Sequence, residues 1–509
     1  MVNNGHWRSS LESDKIYTCK VYGACNEGNE TNELGSCSTG YSEVLCQSCD
    51  LGYSKNSDGK CAKCPSKYSN LLILLFLLLA IVSASVILVK TTLASAFSPK
   101  ALHSIYIKIF TNYLQLILIV TRFDLEWPAY VTQFYKIQNN VASVSDQIFS
   151  IDCFFSNSEG SSKSRFYFIQ LGFVVAIPLF IFIVSYIYWV FHGYLNNSYR
   201  YLKREVYTTM IVLFFLVYPN LVRFLFYNFN CVDIDKMESY LYANTAIECW
   251  NSSHKKFSFI FGLPGIILWV IGAPALLFLL MFKRRRQLHL DHNKVIFGFF
   301  FNGYKLSKFY WEVLIMFRKI LLISILVFMP SQTSTLRALN VIVVLLASLF
   351  LHHLMKPYTS NELNKMELLS LFIATLTIYS GLYYLSNSIS EGVKISLFVL
   401  IVFSNAYFVV YWFYYMAQAL IDKFIFIFPQ FRLRFKRGDA FDEEFYDEKI
   451  VKEGVYFDKV EGEQAYTFLN LKNKIEEKEL SYSNMEDAYL DVAKENIKRH
   501  YKKNKWNLS

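Results

Sequence analysis

The chain has 509 residues, of which 54% are hydrophobic, 18% aromatic and only 18% charged, with a net charge of +10. Charged residues run below the ~25% of ordinary soluble domains, and the apolar residues fall in long blocks, which excludes a soluble globular protein and defines a polytopic membrane protein. The basic residues cluster beside those blocks, as in "KRRRQ" (Lys283 to Gln287) and "FRLRFKRG" (Phe431 to Gly438), so they are topology signals rather than a nucleic-acid footprint, with anionic-lipid binding as a second use.

Residues 1–67 form a cysteine-rich segment holding Cys19, Cys25, Cys37, Cys46, Cys49, Cys61 and Cys64. "MVNNGHWRSS" is no signal peptide, so either the first span exports this segment or the chain begins further upstream; the second is expected, because the sequence opens inside the module. The C-x-x-C pairs Cys46/Cys49 and Cys61/Cys64 suit a tetrahedral zinc site by spacing, whereas an oxidising compartment favours disulfides that staple a segment too small for a core.

Nine membrane spans are expected from here to residue 421. They lie near Asn70–Lys90, Ile105–Phe123, Phe166–Phe191, Val206–Asn228, Phe257–Phe282, Phe309–Met329, Leu336–Leu354, Glu367–Leu385 and Val393–Leu420. Asn112 and Gln115 interrupt the second. Basic loops after the third and fifth spans are cytoplasmic by the positive-inside rule. That puts Cys153, Cys231, Cys249 and the sequons at Asn29 and Asn251 outside, and the sequon at Asn196 inside. The N-terminus is then extracellular or lumenal and the C-terminus cytoplasmic, in the plasma membrane or an endomembrane. Seven N-terminal cysteines leave one over; the simplest scheme pairs Cys231 with Cys249 and gives the leftover one to Cys153.

Three charges stand inside the sixth span, "KLSKFYWEVLIMFRKILLISILVFMP". Glu312 is placed near the headgroups, while Arg318 and Lys319 lie ~14–15 Å deeper, where a charge costs at least ~2.5–3.5 kcal/mol. They must face the bundle interior, with Glu312 and Glu367 as counter-groups, either as a buried ionic clamp or as a gating element. Gln115 and Asn405 at mid-span, with Asp124 and Glu126 at the outer rim, are pore or rim candidates. "NKVIFGFFFNGYKLSK" (Asn293 to Lys308) is too short to span and reads as a helix in the inner interface. Pro178, Pro219, Pro264 and Pro274 mark kinks. The inner histidines His352 and His353 are expected at the headgroups. "HLDH" (His289, Asp291, His292) lacks a third ligand cluster, and no catalytic motif is visible, so neither a metal, a cofactor nor an enzyme is expected. Residues 422–509 form a charged cytoplasmic tail with local helix, open to a cytoplasmic partner.

"CQSCDLGYSKNSDGKCAKCP" resembles the ephrin-receptor-like cysteine-rich repeat, an EGF-like small module. The wider pattern, from "GHWRSS" through "NYLQ", "LEWP" and "FGFFFNGYK" to "KPYTSNELNKMELLSL", resembles large protist membrane proteins similar to transient-receptor-potential channels. The resemblance implies an all-α multi-pass bundle behind a disulfide-rich ectodomain, and a cation channel gated through the ectodomain or by lipid. The alternatives are a receptor or adhesion protein whose last seven spans are arranged like a heptahelical receptor, and a lipid or solute transporter. Membrane lipids and an extracellular ligand are the expected partners, with oligomerisation left open.

Overall fold

The computed structural model describes residues 2–19, 21, 23–28, 34–50, 52–55, 60–64, 68, 72, 86, 89–90, 102–123, 125, 127–142, 163–195, 202–235, 238–288, 290–329, 333–386 and 388–427. The chain divides into two compact units, Met1–Pro429 and Gln430–Ser509, and every described residue belongs to the first. The expected first span (70–90) and the charged tail lie outside the described residues, apart from a few isolated positions and the end of the last helix.

The cysteine-rich segment is a string of two-stranded antiparallel pairs: β1 (His6–Trp7) with β2 (Tyr17–Thr18), β3 (Cys25–Asn26) with β4 (Ser36–Cys37), β5 (Tyr41–Ser42) with β6 (Ser48–Cys49), and β7 (Tyr53–Lys55) with β8 (Cys61–Lys63). Strands this short carry little stability alone. Disulfides Cys19–Cys25, Cys37–Cys46 and Cys49–Cys61 clamp them, and the buried centre is little more than Cys19, Ala24, Cys25 and Cys46. The thiolates that a zinc site would need are thus consumed. Cys64 is disulfide-bonded as well, while Cys153 and Asn29 lie outside the described residues.

The membrane part is helical. Helix α1 (Leu102–Thr121) leads to α2 (Ala129–Ala142), then the long α3 (Lys163–Leu195) and α4 (Leu202–Tyr227). An outer three-stranded sheet follows, β9 (Cys231–Asp235), β10 (Glu238–Leu241) and β11 (Asn244–Glu248), ordered β11-β10-β9 and closed by the Cys231–Cys249 disulfide. Helix α5 (Ser252–Lys283) starts at Asn251, whose side-chain oxygen accepts the His254 backbone N–H at 2.7 Å, an ordinary N-cap. Its backbone widens into π-helical turns at Ser258–Gly262 and Ile266–Gly272, around Pro264 and ahead of Pro274. The chain then continues through α6 (Asp291–Phe301), α7 (Trp311–Phe328), α8 (Ser334–Met355), α9 (Asn361–Tyr384) and α10 (Glu391–Ile427).

Seven helices among the described residues are long and apolar enough to cross a membrane: Leu102–Thr121, Tyr167–Leu195, Glu205–Tyr227, Ser252–Lys283, Ser334–Met355, Asn361–Tyr384 and Glu391–Ile421. The segment expected as the sixth span is helical, as α7, an 18-residue helix with three charges that is not among these seven. Helix α6, expected in the inner interface, turns its aromatic run into the protein. Ile296, Phe297, Phe299, Phe300 and Phe301 are all buried in the main core, with Phe215 of α4 edge-on to Phe299 at 5.0 Å. An aromatic run buries as readily against protein as against lipid, and here α4 covers it.

Candidate functional site

The site grows from helical spacing. Lys108, Asn112 and Gln115 recur at i, i+4 and i+7 along α1, so they line one face. On α7, Glu312 and Lys319 are also seven apart and face α1, whereas Arg318 is turned aside by one residue and meets α9 instead. All these side chains are buried.

Glu312, in the first turn of α7, is fully buried within the protein and is the hub. Lys108 Nζ lies 3.2 Å from its Oε2, the Tyr304 hydroxyl donates to the same oxygen at 2.8 Å, and Asn112 Nδ2 donates to Oε1 at 3.3 Å. Lys108 donates further to the carbonyls of Phe299 and Asn302, and sits 4.4 Å from the Tyr304 ring centre. Tyr304 and Tyr358 share a hydroxyl contact of 3.2 Å. Burial, with the Glu312 charge beside it, pushes the Tyr304 hydroxyl well above its ordinary range, so it remains a protonated donor.

Arg318 pairs with Glu367 at 3.1 Å. Lys319 takes neither carboxylate: its ammonium donates to Asn112 Oδ1 and Gln115 Oε1, each at 2.6 Å, and faces the Phe215 ring at 4.6 Å. Counted by formal charge, three basic side chains (Lys108, Arg318, Lys319) stand against two carboxyl groups (Glu312, Glu367), one more basic than acidic. Arg318 Nε, Glu367 Oε2 and both ring nitrogens of His352 lack hydrogen-bond partners among the described residues. His352 is buried between Trp311 and Tyr358, so of the two histidines expected at the headgroups only His353 is exposed.

The polar network extends to the prolines inside the helices. A proline inside a helix strands the carbonyl four residues earlier. Pro219 strands the Phe215 carbonyl, and Gln115 Nε2 donates there at 3.5 Å and to Leu216 at 3.3 Å. Ahead of Pro274, where the helix is π-wound, the Val270 carbonyl accepts from the Tyr218 hydroxyl at 2.8 Å. Next to the carbonyl stranded by Pro178, that of Val175 accepts from Trp269 Nε1 at 2.9 Å. Arg337 donates to the carbonyl of Leu326, four residues before Pro330. Neighbouring helices thus supply the donors that lipid cannot.

Of the expected pore residues, Gln115 is consumed by Lys319 and α4. Asn405 accepts from the Tyr113 hydroxyl at 2.5 Å and donates to Ile401 within its own helix. Asp124, Glu126 and His289 lie outside the described residues, as do the side chains of Asp291 and His292. Lys108 and the two tyrosines escaped sequence reading; the i, i+4, i+7 polar stripe on α1 was the signal for Lys108.

At the opposite end of the bundle the cysteine-rich module sits on the outer sheet. Ser48 donates to Asn244 Oδ1 at 3.1 Å and lies 3.3 Å from Thr245 Oγ1. Thr245 donates to the Val44 carbonyl at 3.0 Å and Tyr17 to that of Ile234 at 3.3 Å. Beneath the sheet, Leu241, Ile247 and Cys249 pack on Tyr167 and Phe168 of α3.

These features define an integral, multi-pass membrane protein with a disulfide-bonded, outward-facing N-terminal region. The chain is similar to Cysteine repeat modular protein A of Toxoplasma gondii, with 23% identity over 465 residues, covering 77% of this chain and 14% of that protein. It thus spans about a seventh of the length of this relative. No family description matches the chain, and no solved structure does.

Proposed function

We propose that this chain is the membrane-embedded end of a cell-surface transducer, a receptor or adhesion protein whose cysteine-rich ectodomain captures an extracellular ligand and biases a polar network inside the bundle. One observation carries the reading: the module is seated by side-chain hydrogen bonds on a disulfide-closed sheet rooted in α4 and α5. From that seat, contacts run inward. Trp250 N–H donates to His254 Nδ1, the His254 ring meets the Asn228 carbonyl, and Asn228 donates to Ser258 in the first π-helical turn of α5. The second π-helical turn contains Val270, held by Tyr218, one residue before the proline whose stranded carbonyl Gln115 covers beside Lys319. In this reading the bundle has nine spans, with α7 among them, the N-terminus is outside and the tail is cytoplasmic, available to a partner.

Pairing of Gln115 and Asn405 within the bundle supports a transducer over a pore through one copy. A cation-conducting role, the expectation drawn from the sequence resemblance alone, is the other outcome of the same test. A monovalent Fab against residues 34–64 serves as surrogate ligand for the full chain in nanodiscs and planar bilayers. Transduction predicts altered amide exchange in α5 and at 302–310 on Fab binding, with no current. Unchanged exchange there overturns the reading, and a Fab-dependent current transfers it to a channel.

A further inference from the structure

At the end of the bundle away from the disulfides, two short segments are locked side by side. Tyr304 and Tyr358 form an isolated antiparallel bridge, Lys305 N–H donates to the Pro357 carbonyl at 2.8 Å, and Thr359 N–H donates to Gly303 at 2.9 Å. Gly303 has φ +88°, and a Cβ there would lie 2.9 Å from Ile105, so only glycine permits this approach. Lys356 holds a left-handed conformation at φ 40°, strained for a non-glycine residue, at the C-terminus of α8.

This framework brings three lysines together. Lys305 and Lys356 are exposed, one residue after Tyr304 and two before Tyr358 of the bridge, and Lys308 reaches across to the Met355 sulfur at 3.2 Å. None of the three is in an ion pair among the described residues. Large apolar side chains stand directly beside them in the chain and are exposed: Leu306 at 57%, Leu354 at 60% and Met355 at 39%. Cations clustered next to exposed apolar groups at a bundle end match a ligand with a multiply charged anionic head and acyl chains.

We propose that Lys305, Lys308 and Lys356, with Leu306, Leu354 and Met355, form a binding site for an anionic phospholipid carrying several phosphates on its headgroup. The site lies under the buried cluster: Tyr304, next to Lys305, donates to Glu312, and Tyr358, two residues after Lys356, contacts Tyr304. The proposal rests on the reading that this end faces the anionic leaflet.

The test uses the full chain in a neutral detergent, where both ends are reachable, so it stands apart from orientation and from module coupling. The probe is dioctanoyl phosphatidylinositol 4,5-bisphosphate, with binding followed by native mass spectrometry. Saturable binding is expected, and the triple substitution Lys305→Gln, Lys308→Gln, Lys356→Gln weakens it by about fivefold per lysine, on the order of 100-fold together. A control triple at the nearby basic loop, Lys283→Gln, Arg285→Gln, Arg286→Gln, leaves binding nearly unchanged. Amine acetylation of the unsubstituted protein reads the same site without a variant: the lipid shields Lys305, Lys308 and Lys356 but not Lys255 and Lys256. Absence of wild-type binding overturns the proposal. Equal loss in the control triple, meaning diffuse charge, overturns it too. So does equally tight binding of inositol trisphosphate alone, meaning a soluble polyphosphate.

Discussion

Glu312→Gln isolates the hub of the buried network. The substitution keeps the shape, so Tyr304 can still donate to the new side chain, but Lys108 loses the carboxylate 3.2 Å away, and the cluster's excess of basic over acidic groups rises from one to two. Removing one partner of a buried pair costs about 3–5 kcal/mol, because the other charge is stranded. Lys108 keeps the carbonyls of Phe299 and Asn302, which puts the loss toward the lower end of that range, about 3 kcal/mol. Adding Lys108→Met removes the stranded cation, and neutralising both members of a buried pair is close to neutral. The double variant should therefore recover most of the stability lost by Glu312→Gln. The assay is the thermal midpoint of the four proteins of the cycle, followed by fluorescence-detected size exclusion in one detergent. Additivity of the two single losses to within about 0.5 kcal/mol would show that the groups do not interact, and would refute the hub.

Lys319→Met should be tolerated better than Lys108→Met in the same assay, since Lys319 meets two amide oxygens and the Phe215 ring but no carboxylate; the reverse order would contradict the assigned partners. Tyr218→Phe should cost about 1 kcal/mol by uncovering the Val270 carbonyl, and an unchanged thermal midpoint argues against the cap. Cys231→Ser with Cys249→Ser opens an 18-residue separation and should cost about 3 kcal/mol on the chain-entropy scale. The cysteine-rich module should then become protease-sensitive while helix content stays intact, and unchanged proteolysis would mean that the sheet is not its seat.

Much of this architecture is legible in the sequence because lipid imposes one-dimensional rules. An apolar block of the right length has few alternatives to a spanning helix, and a charge within such a block announces a partner. Glu312, Arg318, Lys319 and Glu367 were accordingly visible, and so was Glu367 as a counter-group, which Arg318 meets; the partners of Glu312 and Lys319 on α1 were not. Which helix α7 faces depends on rotation about its axis, set by packing with α1 and α9 far away in the chain. Lys108 was hidden because a lysine near a helix end reads as a snorkelling residue. Its meaning comes only from Asn112 and Gln115 one and two turns further along the same face. Helix α6 misled for a related reason: its phenylalanines carry no mark that distinguishes a protein neighbour from a lipid one.

The interior prolines show how far the accounting of backbone groups reaches. Each interior proline predicts an uncovered carbonyl from sequence alone, and lipid offers no donor, so a donor from another helix is required. What sequence withholds is its identity, since Gln115 and Phe215 are 100 residues apart. Gln115 meets two demands at once, its amide nitrogen on the backbone stranded by Pro219 and its oxygen on Lys319. A leucine there would strand both a carbonyl and an ammonium. The polar interruption that weakens α1 as a membrane span is therefore the feature that lets α4 hold a proline and α7 carry a charge beside it.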